Sequence, residues 1–133
     1  MSREPVSVFL VDDDESVRRS VDRLLRTAGF RVRTFSGVAE FLAEVEPSCR
    51  GCVVLDVRMP GQSGFDLFDR LMADGHNLGI VFITGHADFQ TAARSLSDGA
   101  ADFQFLAKPF EADELIAAVN QAITSIISAA DRP

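Results

Sequence analysis

The chain has 133 residues, of which 47% are hydrophobic and 25% charged, the composition of one ordinary globular domain. Its net charge of −7 disfavours nonspecific binding to nucleic acids or to anionic membranes. No apolar run approaches the ~20 residues of a membrane span, and the first residues lack a signal sequence, so we expect a cytoplasmic protein with no membrane partner.

Short apolar runs alternate along the chain with segments of helical periodicity. In chain order, the predicted elements are a strand at 6–11, a helix at 17–28, a strand at 31–35, a helix at 38–45, a strand at 52–55, a helix at 65–72, a strand at 79–84, a helix at 89–96, a strand at 103–107 and a helix at 115–127. Gly29 and Gly75 are predicted to end the first and third helices. This alternation predicts an α/β fold, a parallel sheet with helices on both faces.

Four segments carry more detailed predictions. The strand at 31–35 alternates charged and apolar residues, as expected of a less buried strand at an edge, whereas 52–55 is uniformly apolar, as in a strand covered on both faces. The third helix is predicted from the spacing of Phe65, Phe68, Leu71 and Met72. The last helix has two neighbouring apolar stripes, beginning at Leu115 and Ile116, which is more apolar surface than one packing face requires. We therefore expect part of that surface to form an interface.

The two cysteines form a Cys-x-x-Cys pair at Cys49 and Cys52. Redox pairs of this spacing occur where a strand gives way to a helix, but this pair precedes a strand, and no second pair completes a zinc site. We expect Cys52 to begin a buried strand and Cys49 to lie in a loop.

Polar side chains gather at the carboxyl ends of the predicted strands, which share one edge of a parallel sheet. They are Asp12, Asp13, Asp56, Thr84 and Lys108. Taken alone, Asp56 could equally cap the following turn. Two carboxylates ~5 Å apart repel by about 3 kcal/mol at an effective dielectric of ~20, so the cluster must either raise a pKa or hold a cation.

A hard cation such as Mg2+ suits oxygen-only ligands, whereas the hydroxyl of Thr84 and the ammonium of Lys108 suit an anion. Lys108 is the only lysine beside 12 arginines, and the arginine fork is not interchangeable with a compact ammonium. Carboxylates, a divalent ion, a hydroxyl and a lysine together describe a phosphoryl-transfer site. The central carboxylate, Asp56, is the predicted acceptor.

From residue 6 to residue 127 the chain resembles the receiver domain of two-component response regulators, particularly regulators of the nitrogen-fixation type. The resemblance rests on five motifs at strand ends: Val11-Asp12-Asp13-Asp14, Leu55-Asp56-Val57-Arg58-Met59-Pro60-Gly61, Thr84-Gly85-His86-Ala87-Asp88, Gly99-Ala100-Ala101-Asp102-Phe103 and Lys108-Pro109-Phe110. It implies a doubly wound, flavodoxin-like fold of strand order 2-1-3-4-5, a receiver domain over 1–128 and a tail over 129–133.

The resemblance also implies residue roles. Asp56 would accept a phosphoryl group from a histidine of a sensor kinase. Asp13, Asp56 and the backbone carbonyl of Arg58 would bind Mg2+, with Asp12 acting through a bound water. Thr84 and Lys108 would grip the phosphoryl oxygens, and Phe105 would swing inward when Thr84 moves. Arg58 and His86 would tune dephosphorylation, and the Lys108–Pro109 peptide would be cis.

In the family such a switch controls a partner or output domain through the fourth helix, fifth strand and fifth helix, and homodimerisation through that surface is expected on phosphorylation. The chain itself is predicted neither to bind nucleic acid nor to turn over a separate substrate. It differs from the family by two extra residues, Gln104-Phe105, before Lys108. An insertion of two preserves strand alternation, but it leaves Phe103 and Phe105 as alternatives for the switch aromatic.

Two other functions remain open. A haloacid-dehalogenase-like phosphatase also uses an aspartate at a strand end, but that family places a second aspartate where this chain has Arg58. The other is a receiver-like interaction module that works without phosphorylation.

Overall fold

The computed structural model describes residues 7–46, 50–57, 64–76, 78–85, 103–108 and 110–130. Within them five parallel strands form one sheet of order β2-β1-β3-β4-β5, which confirms the predicted fold class and strand order. The strands are β1 (Ser7–Val11), β2 (Arg31–Phe35), β3 (Gly51–Asp56), β4 (Leu78–Gly85) and β5 (Phe103–Lys108).

Four helices are described, and each follows the predicted periodicity. They are α1 (Glu15–Thr27), α2 (Val38–Glu44), α3 (Gly64–Ala73) and α4 (Ala112–Ala130). The last of these is the predicted fifth helix, since the helix predicted over 89–96 lies outside the described residues. Gly29 and Gly75 follow α1 and α3 with φ of 99° and 78°, a left-handed conformation that glycine adopts without steric cost. Their predicted role as helix stops is confirmed.

The position of each strand explains its residue pattern. β3 lies in the middle of the sheet, and all six of its residues are buried, as the uninterrupted apolar run predicted. β2 lies at one edge, and Arg31, Arg33 and Thr34 are exposed there. Arg33 stacks over the rings of Phe9 and Phe35, at 5.9 and 5.5 Å from their centroids, so its guanidinium covers an apolar strand edge.

Two hydrophobic cores lie on opposite faces of the sheet. One joins β-strand residues to α1 and α4, with Leu25, Leu115 and Val119 at its centre. The other joins the sheet to α2 and α3 and contains an aromatic cluster in which Phe41 meets Phe9 and Phe35 edge to face. Met72, one of the residues whose spacing predicted this helix, does not join the core and is 43% exposed. Met72 follows Leu71 directly, and the rotation of the helix carries it away from the sheet.

The apolar stripes of α4 are used more fully in the core than the sequence indicated. Leu115, Val119 and Ala122 of the first stripe are buried, but so is Ile123 of the second. Ile116 is only partly buried. The second stripe therefore offers a smaller free surface than its composition suggests. Among the described residues, no helix combines the length and hydropathy needed to cross a bilayer.

Cys52 is the second residue of β3 and is completely buried, as predicted. Burial raises the pKa of its thiol far above the usual value, so the thiolate that redox chemistry needs is not formed. Cys49 lies outside the described residues. Cys52 is thus a core residue.

Candidate functional site

The carboxyl ends of β1 and β3 bring three aspartates together. The two strands are neighbours in register, with Val11 beside Leu55, so the residues that follow meet at the same sheet edge. One carboxylate oxygen from each of Asp12, Asp13 and Asp56 lies within 4.8 Å of the others. We call these three residues the acidic cluster. The sequence predicted this grouping because the carboxyl ends of parallel strands lie at one edge of the sheet.

Asp12 is the most enclosed member of the cluster, with 1% of its surface exposed. Its N–H donates to the carbonyl of Phe35 at 3.2 Å, and its Oδ1 accepts a 2.9 Å hydrogen bond from the N–H of Asp14. The guanidinium of Arg18, one turn into α1, donates to the carbonyl oxygen of Asp12 at 2.8 Å. These contacts fix the end of β1, and with it the start of the acidic cluster.

Asp56 is the last residue of β3, and 9% of its surface is exposed. The chain beyond it is held on two sides. Val57 donates its N–H to the carbonyl of Ile83 at 2.9 Å and accepts a 2.9 Å hydrogen bond from the N–H of Gly64, the first residue of α3. Asp56 is therefore almost completely buried and stands on a fixed backbone.

The donor set of the acidic cluster fits a hard divalent cation. Three carboxylate oxygens within 4.8 Å concentrate negative charge that a cation would offset. Mg2+ is commonly bound in proteins by one or two carboxylates, together with water and phosphate oxygens. The exposed position of Asp13 leaves the cluster accessible from solvent.

Thr84 and Lys108 extend the same edge of the sheet. Asp56 is aligned with Ile83, the residue before Thr84, and Lys108 is aligned with Gly85, the residue after it. Thr84 is buried, and its hydroxyl donates to the carbonyl of Gly85 at 3.3 Å. The backbone register thus brings the strand positions of all five predicted site residues to one end of the sheet.

The extra pair of residues before Lys108 lengthens β5 without shifting it. Pairing with β4 is continuous from Phe103, opposite Ile80, to Lys108, opposite Gly85. Phe105 is opposite Phe82, and the two rings stack with centroids 5.2 Å apart. In the register, Phe105 lies nearer to Thr84 than Phe103 does. Arg58, His86 and Pro109 lie outside the described residues, as does the predicted cis peptide.

Three residues beside the site were given no individual role in the sequence interpretation. Arg18 contacts the backbone of Asp12, Asp14 caps α1, and Gly64 packs against Asp56. An aspartate directly before a helical segment is a recognisable N-cap signal for Asp14. Nothing local distinguishes Arg18 from its neighbour Arg19, because only the three-dimensional path of the chain returns α1 to the end of β1.

The chain matches the response regulator receiver domain family over residues 8–120. It is 41% identical over 122 residues to the C4-dicarboxylate transport transcriptional regulatory protein DctD of Rhizobium meliloti (strain 1021), covering 92% of this chain and 26% of that protein. It is 42% identical over 120 residues to the transcriptional regulatory protein FixJ of Azorhizobium caulinodans, covering 90% of this chain and 56% of that protein. The chain therefore spans between about a quarter and about half of these relatives.

Two solved structures are similar to this chain in both fold and sequence. The crystal structure of FixJ-N matches with a TM-score of 0.79 and 36% identity, covering 92% of this chain and 96% of that one. The response regulator StyR matches with a TM-score of 0.84 and 42% identity, covering 95% of this chain and 63% of that one.

Proposed function

This chain belongs to the response regulator receiver domain family of two-component systems, and we propose that Asp56 is the phosphoacceptor through which it works as a phosphorylation-dependent switch. The observation that carries the proposal is the convergence of three carboxylate oxygens within 4.8 Å at the ends of β1 and β3. Asp56 is the member of the acidic cluster that stands at the end of the central strand, between β1 and β4.

Phosphoryl transfer would proceed by attack of an Asp56 carboxylate oxygen on the phosphorus of a phosphohistidine of a sensor kinase. An aspartyl O–P bond forms while the histidine N–P bond breaks, and the departing imidazole nitrogen keeps the electron pair of the broken bond. The same reaction with acetyl phosphate releases acetate. Hydrolysis of the acyl phosphate returns Asp56 to its free carboxylate and completes the cycle. Because the phosphoryl group is carried by the protein itself, the domain is proposed to act as a phosphoacceptor that turns over no separate substrate.

The acidic cluster is the proposed Mg2+ site, formed by Asp13, Asp56 and the backbone carbonyl of Arg58, with Asp12 acting through a bound water. The chemistry supplied by bound Mg2+ is neutralisation of charge between the carboxylate and the incoming phosphoryl group. The protein contributes rigidity: the hydrogen bonds to Asp12 and Val57 fix the backbones from which the ligands project.

Thr84, Lys108 and Phe105 form the proposed switch. A phosphoryl group adds about −1.5 to −2 charge and three acceptor oxygens at the end of β3. Thr84 would exchange its hydrogen bond to the carbonyl of Gly85 for one to a phosphoryl oxygen, and Lys108 would pair with the new charge. The ring of Phe105 stacks on that of Phe82, which precedes Thr84 by two residues in β4. Movement of Thr84 would therefore change the space available to the Phe105 ring.

The output surface is proposed to include the predicted fourth helix, β5 and α4. β5 is the last strand of the sheet, and no strand among the described residues pairs with its outer side, which supports its use as a contact surface. Because the relatives are about two to four times longer than the matched segment and are transcriptional regulators by name, we infer that the switch acts on an output domain or on a second copy of the receiver. His86 and Arg58 are the proposed positions that set the phosphate lifetime.

Labelling with acetyl phosphate tests the proposed function. Intact-protein mass spectrometry should show an increase of one phosphoryl group that requires Mg2+ and disappears in Asp56→Asn. Asp69→Asn, which changes an exposed carboxylate on α3, is the matched control and should label as the wild type does. Persistent labelling of Asp56→Asn would place the acceptor elsewhere. A wild-type protein that neither labels nor binds beryllofluoride would instead support an interaction module independent of phosphorylation.

A further inference from the structure

Gly64, the first residue of α3, lies directly against the backbone of Asp56. A Cβ atom placed on Gly64 would lie 2.6 Å from the carbonyl oxygen of Asp56 and 3.3 Å from its carbonyl carbon. It would also lie 3.2 Å from the Cα of Val57. Such distances are shorter than van der Waals contact, so a side chain at this position requires part of the backbone to move.

Neither the end of β3 nor the start of α3 can move away from this contact without losing other interactions. On the strand side, Val57 is hydrogen-bonded to Ile83 and to Gly64 itself, each at 2.9 Å. On the helix side, Leu67 and Phe68 are buried in the core and hold the first turn of α3 against the sheet. An added methyl group must therefore displace either the end of β3 or the first turn of α3 where it packs on the sheet. Both of these segments support Asp56.

We propose that Gly64 is a positioning residue for phosphoryl transfer, because its close approach sets where the end of β3 places the Asp56 carboxylate relative to Asp12 and Asp13. This inference rests on the proposed role of Asp56 as the acceptor. The same contact joins the two ends of the segment 58–63, since the N–H of Gly64 donates to the carbonyl of Val57. That segment begins with Arg58, whose backbone carbonyl is a proposed ligand.

Gly79 provides a matched control elsewhere in the same sheet. A Cβ at Gly79 would lie 2.6 Å from the carbonyl oxygen of Ala122 in α4, the same separation as at Gly64. Gly79 lies near the start of β4, five residues before Thr84 and at the far end of the strand from the acidic cluster. Two further atoms of Ala122 would lie 2.8 and 2.9 Å away, closer than the corresponding neighbours at Gly64, so Gly79→Ala should strain the packing at least as much without displacing Asp56.

The experiment compares wild type, Gly64→Ala, Gly79→Ala and Asp56→Asn in acetyl phosphate labelling with Mg2+. Rates are expressed per folded molecule, with the folded fraction taken from far-UV circular dichroism under the labelling conditions. We expect Gly64→Ala to label at least about tenfold more slowly, since displacement of a reacting group by ~1 Å can cost about a hundredfold in rate. Gly79→Ala should label within about twofold of wild type. A Gly64→Ala rate equal to that of wild type, or equal slowing of both variants, would overturn the proposal.

A second pair of variants keeps the test decisive if Gly64→Ala does not fold. Phe68→Leu loosens the seat of α3 without adding an atom near Asp56, and Phe41→Leu makes the same change in α2 on the same face of the sheet. We expect Phe68→Leu to slow labelling by about threefold or more and Phe41→Leu to leave it unchanged, whereas equal rates in the two would refute the positioning role.

Absence of labelling at Asp56 in wild type would count against the proposed function itself. Labelling in wild type with glycine variants that behave alike would count only against the role of Gly64.

Discussion

The backbone N–H of Asp14 donates a 2.9 Å hydrogen bond to Oδ1 of Asp12, and this contact links three consecutive aspartates that have different tasks. Asp12 is enclosed at the end of β1, and Asp13 is exposed within the acidic cluster. Asp14 caps α1, because its Oδ1 accepts hydrogen bonds from Ser16 and Val17 at 2.9 and 3.2 Å. The position of each carboxylate relative to the strand end and the helix start, and not its chemistry, separates the three roles.

Replacing Asp14 should affect stability more than the site. Asp14→Ala removes the acceptor for two N–H groups at the start of α1, and a lost N-cap typically costs about 1 kcal/mol of the free energy of unfolding. Asp14→Asn should retain most of that stability, since its side-chain oxygen can accept the same bonds. Urea unfolding followed by circular dichroism measures both. Equal losses in the two variants would show that the carboxylate acts through its charge on the helix dipole and not through the cap.

Mg2+ should stabilise the folded protein through the acidic cluster. A ligand that binds only the native state adds about 2.7 kcal/mol at one hundred times its dissociation constant, so the melting temperature should rise with Mg2+ and return on chelation. Asp13→Asn should reduce this increase, because it removes a proposed ligand and one negative charge. Glu46→Gln changes an exposed carboxylate outside the cluster and serves as the control. An unchanged Mg2+ response in Asp13→Asn would remove Asp13 from the site.

Activation should separate the rings of Phe105 and Phe82. In this structure they are stacked, with an interplanar angle of 26°. We expect the nuclear Overhauser effect between the two rings, assigned with Phe105→Leu, to weaken when Mg2+ and beryllofluoride saturate Asp56. The contact between Phe9 and Phe41, whose centroids are 5.9 Å apart in the core, is the internal control and should not change. If the Phe82–Phe105 contact persisted at saturation, Phe105 would not be the switch aromatic, and Phe103 would remain as the alternative for that role.

The fold was predictable because each strand and helix has a local pattern that matches its surroundings. The uniform run at 52–55 corresponds to a strand buried on both faces, and the alternation at 31–35 corresponds to an edge. Packing within a helix was harder to predict. Met72 and Ile123 have similar apolar character, yet one is exposed and the other buried, because the orientation of each helix on the sheet decides which neighbouring stripe is covered.

The candidate site was predictable to the extent that it depends on strand ends. Parallel order alone brings Asp12, Asp13 and Asp56 to one edge. The contacts of Arg18 and Gly64 were not predictable, because they join segments whose separation is set by tertiary packing: a guanidinium reaching back six residues and a helix start touching a strand end. The consequence of the extra residues before Lys108 also required the structure, which lengthens β5 in register with β4.

Stability should fall in mildly acidic solution because of His76, which follows α3 and is 7% exposed. Burial lowers its pKa from the usual 6.5, and the nearby carboxylate of Asp74 opposes this only in part. The folded state therefore binds the proton less readily than the unfolded state. The resulting stability is complete above about pH 6.5, the unfolded pKa, and is lost as the pH falls below it toward the folded pKa. Urea unfolding at intervals between pH 7.5 and 5.5 should show this decrease, with a slope of at most about 1.4 kcal/mol per pH unit for one proton.

His76→Gln separates this effect from the titration of other groups. The variant keeps a polar side chain at a position where Nδ1 of His76 finds no hydrogen-bond partner among the described residues, but it cannot gain a proton in this range. Its stability should change less between pH 7.5 and 5.5 than that of wild type. His86→Gln removes the other histidine of the chain and should keep the wild-type slope. If the free energy of unfolding of His76→Gln fell with pH as steeply as that of wild type, the acid sensitivity would have to arise from other groups. The burial of His76 would then not couple proton binding to stability.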